Sequence, residues 1–85
     1  MMLEDERIGD LKERFNSSID WNIQRSSLEV LATYGIKGID AINELIGLTL
    51  DNDLRGYGLN LIKQVRASNN FKKKYLIKIF ILLLV

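Results

Sequence analysis

The chain has 85 residues, of which 47% are apolar and 27% charged, a globular composition and enough for one small domain over residues 1–85. It contains no cysteine, no histidine and no proline. That excludes a disulfide framework, thiolate chemistry, an imidazole base or ligand, and any helix break at proline. The net charge of +1 conceals a division: residues 1–53 carry eleven acids against five bases, whereas residues 54–85 carry seven bases and no acid.

The first predicted element covers about residues 3–16. Ile8, Leu11 and Phe15 stand three and four apart and share one helical face, and Glu4, Asp5 and Glu6 suit the positive end of a helix dipole. Asp20 is the expected N-cap of a second helix over 21–34, with its stripe at Ile23, Ser27, Leu28 and Leu31. Gly35 follows this stripe as a left-handed C-cap. A third helix over 37–49 carries Ile39, Ile42, Leu45 and Ile46 on one face. Asp51 caps a fourth over 52–67, in which Gly56 and Gly58 each cost about 1 kcal/mol relative to alanine unless they admit a neighbouring helix. Ser68, Asn69 and Asn70 predict a turn before a fifth helix over 70–84.

A shift of 31 residues superimposes the first two helices on the next two. Ile8 falls on Ile39, Leu11 on Ile42, Phe15 on Ile46 and Ile19 on Leu50. Asp20 falls on Asp51, Ile23 on Leu54, Leu28 on Leu59 and Leu31 on Ile62. The expected fold is therefore all-α: a short α-solenoid of antiparallel helix pairs, about five helices in two repeats of 31 residues plus a partial unit.

The residues from Gly38 to Ile46 and from Asp51 to Ile62 resemble the short, bilin-lyase-type HEAT-like repeat. Asp51, Leu54, Arg55 and Gly58 match its aspartate, apolar, arginine and small-residue order; Asp20, Ile23 and Ser27 match it in the preceding unit, where Gln24 replaces the arginine. Asp40 stands where the family often has proline. The resemblance covers residues 5–67. It implies a non-catalytic interaction or scaffold module whose contact face holds Arg7, Asp10, Arg14, Asp40, Asn43 and Glu44, with Lys73 and Lys74 further along. These assignments follow from position in a repeat fold and are an analogy.

No catalytic constellation emerges. The serines have no histidine partner, and Asp10 with Glu13 or Asp40 with Glu44 are spacings common on solvated helices. No enzyme activity, cofactor or metal is expected. Arg55, beside Asp51 and Asp53, reads as a surface charge or a bridge between turns, and Trp21 as a residue that packs on its turn. The partner expected is a protein. Two alternatives follow from the C-terminal third: nucleic acid, because Lys63, Arg66, Lys72, Lys73, Lys74 and Lys78 lie within 16 residues with Phe71 and Tyr75 among them, and a membrane surface. The run from Tyr75 to Val85 holds eleven residues with one charge, too short for a span of about 20. An apolar terminal helix of this kind implies a piece of a longer solenoid, self-association through this end, or a lipid contact. The acidic start lacks a signal-like apolar region, so a cytoplasmic protein is expected.

Overall fold

A computed structural model of the chain describes the backbone of residues 3–84 and the side chains of residues 3–68. Among the described residues there are four helices and no strand: α1 (Glu4–Ser17), α2 (Trp21–Ala32), α3 (Ile36–Leu48) and α4 (Asn52–Leu84). The connections, residues 18–20, 33–35 and 49–51, are short enough to make consecutive helices antiparallel neighbours. Helix α1 packs on α2 and α3, α2 also on α3 and α4, and α3 on α4. Helices α1 and α4 share no contact among the described residues. The α1–α2 hairpin thus lies beside the α3–α4 hairpin, with α1 next to α3 and α2 next to α4.

The expected fifth helix does not form separately. Helix α4 runs through Ser68, Asn69 and Asn70 to Leu84. Serine and asparagine cost a helix only a few tenths of a kcal/mol each, and no glycine or proline lies beyond Gly58 to end it. The expected packing of the apolar end, residues 75–85, lies outside the described side chains. No helix among the described residues is long and apolar enough to cross a membrane.

One core joins the two hairpins. Leu11 and Phe15 from α1, Leu28 and Leu31 from α2, Ile39, Ile42, Leu45 and Ile46 from α3, and Leu54 and Ile62 from α4 are buried. Full burial of a leucine or isoleucine side chain is worth about 1.5–3 kcal/mol, so these stripes supply the main force holding the helices together. Ile8 and Ile39, the first pair of the repeat, both belong to this cluster, Ile8 at its edge.

The turns repeat atom by atom. Ser18 Oγ accepts from the Asp20 amide at 3.1 Å, and Thr49 Oγ1 accepts from the Asp51 amide at 3.2 Å. Asp20 Oδ1 accepts from the Asn22 amide and Asp51 Oδ1 from the Asp53 amide, each at 2.9 Å, which are the expected N-caps. Gln24 Nε2 donates to the Ser18 carbonyl at 3.0 Å, and an Arg55 guanidinium nitrogen donates to the Thr49 carbonyl at 2.6 Å. Arg55 Nε also donates to the Ile46 carbonyl at 3.3 Å. Arg55 is therefore neither a free surface charge nor a partner of Asp51. It satisfies carbonyls left open where α3 ends, a place where a cation also meets the negative end of the dipole. The replacement by Gln24, a departure from the family pattern, keeps the same bond with a neutral donor.

Glycines set the spacing. A Cβ on Gly38 would lie 1.7 Å from the Leu31 carbonyl oxygen, so α3 rests against the backbone of α2 there. A Cβ on Gly58 would lie 2.5 Å from a methyl of Ile46, whereas one on Gly56 meets nothing. Only Gly58 of that pair admits a neighbour. Gly35 has φ +69° and ψ −135°, in a region open to glycine; it is the N-cap residue of α3 rather than a left-handed C-cap of α2, whose C-cap is Thr33.

Two glycine substitutions should move stability in opposite directions. Gly56→Ala should stabilise by about 0.5–1 kcal/mol through helix propensity, and Gly38→Ala should destabilise by about 2 kcal/mol or more because backbone must move. Thermal denaturation followed by circular dichroism checks both; equal shifts of one sign would contradict the packing described. Arg55→Ala should lose about 1–2 kcal/mol for its carbonyl bonds, and Arg55→Gln should recover part of that loss, because Gln24 makes the equivalent bond. Urea melts of the two variants provide the measurement.

Candidate functional site

The expected contact residues are distributed along α1 and α3, and several are already engaged. Arg7 reaches Asp10 of its own helix at 3.3 Å. Glu44 receives Lys12 from α1 at 2.6 Å, and Lys37 of α3 reaches Asp5 at 3.3 Å. These pairs stitch α1 to α3 at the surface, each worth about 0–1 kcal/mol in water. Asp10 and Glu44 thus face cations rather than Glu13 and Asp40, and no paired-carboxylate site exists in this region. Arg14, Asp40 and Asn43 remain exposed. Lys73 and Lys74 lie outside the described side chains. No group of three or more Asp or Glu among the described residues is placed to hold a metal ion.

A second surface was not legible as a site. At the start of α2 the Arg25 guanidinium lies 5.2 Å from the Trp21 ring centroid. Trp21 meets Tyr57 of α4 edge-on, with ring centroids 6.5 Å apart. The Tyr57 hydroxyl donates to Glu29 Oε1. Arg25 Nε stands 3.9 Å from that same carboxylate oxygen, an ion pair too long for a hydrogen bond. Trp21 is still 38% exposed, so it does not fold back on its turn but forms the outer end of a tryptophan, arginine and tyrosine ladder bridging α2 and α4. The sequence signal was present in Trp21 and Arg25 at four-residue spacing, but Tyr57 joins only through the contact between hairpins.

Two physical effects act on this ladder. Arginine over an aromatic face gains about 0.5–1 kcal/mol at an exposed position. The Tyr57 phenol is pushed above its ordinary value, first by the hydrogen bond its neutral form makes to Glu29, then by burial and by the Glu29 charge, with Arg25 opposing. A raised phenol favours the protonated form in the fold. Its contribution is complete below the unfolded-state value of 10.0 and is lost as pH rises through the folded one. Alkaline absorbance titration should therefore show one late tyrosine transition in the native protein. Glu29→Gln should move that transition to lower pH, and Tyr57→Phe should abolish it.

A third feature is a groove of about 300 Å³ between α1 and α2, on the side facing away from α3 and α4. Leu11, Ile23 and Val30 form its apolar lining, and Arg7, Arg14 and Ser26 its polar lining.

No protein-family model, curated protein sequence or solved structure matches this chain.

Proposed function

We propose that the chain is a non-catalytic protein-interaction module, built as a short HEAT-like α-solenoid. The observation that carries this reading is the recurrence, at 31 residues, of the bonded turn: the hydroxyl on the aspartate amide, the aspartate cap, and the side chain from the next helical turn on the preceding carbonyl. The pairing of α1 with α3 and of α2 with α4 supports it, because stacked helical hairpins bury their apolar faces only against neighbouring units. Such units present side chains from successive helices on a continuous face, which is a binding surface rather than a reaction centre.

The ladder of Trp21, Arg25 and Tyr57 is the binding centre of this face. Tryptophan, arginine and tyrosine dominate the energetics of protein interfaces because each covers a large area and carries a polar handle. Here the three are held by one another before any partner arrives, which lowers the ordering cost on binding.

Selection from a peptide library on the full chain tests the reading. Enriched peptides should bind the folded protein saturably, and Trp21→Ala should weaken binding at least about tenfold, near 1.4 kcal/mol, while leaving the helical signal intact. Enrichment equal on heat-unfolded protein would overturn it. So would a low-salt shift with nucleic acid that the selected peptides do not compete away.

A further inference from the structure

The groove on the outer side of α1 and α2 corresponds, through the 31-residue register, to the surface of α3 and α4 that meets the first hairpin. Arg7 occupies the place of Gly38, which rests against the Leu31 carbonyl of α2. Ser26 occupies the place of Tyr57, which meets Trp21 and Glu29 of α2. The two sides of the groove therefore match the two sides of the contact between hairpins. In the second hairpin this surface is covered, and Leu54 is 1% exposed; in the first its equivalent, Ile23, is 41% exposed.

The substitutions in the groove determine what can enter it. An arginine where the second hairpin has glycine prevents another helix from approaching to backbone contact. Arg14 stands where the second hairpin has the buried Leu45. A further stacked helix pair is thus the wrong shape and the wrong polarity for this surface. Arg7 and Arg14 are seven residues apart on α1, two helical turns or about 10.5 Å, with Leu11 between them at the floor. Arg7 is partly neutralised by Asp10, and Arg14 has no ion-pair partner among the described residues. Ser27 at the base donates to the Ile23 carbonyl at 2.9 Å, leaving Ser26 as the free hydroxyl on the opposite side. The volume is at the lower limit of ligand-sized clefts, about 300–1,000 Å³, and holds side chains rather than a whole helix.

We infer that this groove binds an acidic segment of a partner protein, which places apolar side chains over Leu11, Ile23 and Val30 and carboxylates on Arg14 and Arg7. Charge complementarity selects the segment: guanidinium groups take carboxylates in paired hydrogen bonds. The inference rests on the interaction-module reading and adds the site and the chemistry of the ligand.

The probe is a fluorescein-labelled synthetic peptide of about 14 residues, four helical turns, with two glutamates seven apart and two leucines between them. Titrated with the full chain, it should bind with a Kd of about 10–100 μM, a weak-complex affinity. Amide resonances of Ser26 and Val30 should shift. Arg14→Glu should weaken binding at least tenfold and Arg14→Gln by less, whereas Lys63→Glu, the same charge change on α4, should alter it less than twofold. Replacing both peptide glutamates by glutamine should abolish binding. Equal losses in the Arg14→Glu and Lys63→Glu proteins, undiminished binding of the glutamine peptide, or no saturation at millimolar concentration would overturn the proposal. Trp21→Ala should leave this binding unchanged. Library peptides that depend on Trp21, together with failure of the acidic probe, would remove the groove proposal and leave the module reading standing.

Discussion

Each helical hairpin is closed by a side chain that reaches backwards. Gln24 in the first and Arg55 in the second sit one turn into the following helix and hold a carbonyl of the turn before it. A helix end leaves several carbonyls without intrahelical partners, and satisfying one of them from the next helix fixes where that helix must begin. With the aspartate cap holding the other side, the turn has little freedom left. The hairpin angle then becomes a property of about six residues, and the apolar stripes meet because the turn has already aimed them. Ile19 and Leu50, at equivalent points of these turns, are left fully in solvent, 102% and 96% exposed, which shows that polar bonding rather than apolar burial shapes the turn.

Much of this was legible because it is local. The stripes at Leu11, Leu28, Leu31, Ile42 and Leu45 follow helical spacing and are all buried, and Asp20 and Asp51 cap the helices they precede. What was not legible depends on distance in space. Ile23 and Leu54 match in sequence but not in burial, because only the second hairpin has a neighbour on that side; Leu28 and Leu59 differ in the opposite sense, 0% against 47% exposed. The turn expected at Ser68, Asn69 and Asn70 failed for an energetic reason. Those residues favour a turn weakly, and interrupting a long helix sacrifices several backbone bonds at once.

The candidate surfaces divide in the same way. Arg7, Asp10, Asp40 and Glu44 were visible as charges, yet whether a charge is available depends on what another helix brings to it. Lys12 reaches Glu44 across the two hairpins, a pairing of residues 32 positions apart that no spacing rule detects. The ladder of Trp21, Arg25 and Tyr57 is half local and half not: the four-residue step sets the arginine over the indole, and the lateral packing of α4 delivers the tyrosine.

The contact of Gly38 with the Leu31 carbonyl gives the molecule a polarity. The seam between hairpins is formed by a bare backbone on one side and a leucine-lined helix on the other, so the two halves cannot exchange places. Any tandem array assembled from these building blocks would extend only past α3 and α4, where Leu59 is uncovered, and a duplicate inserted ahead of α1 would meet arginine where it needs glycine. Directional growth is thus written into a single missing side chain.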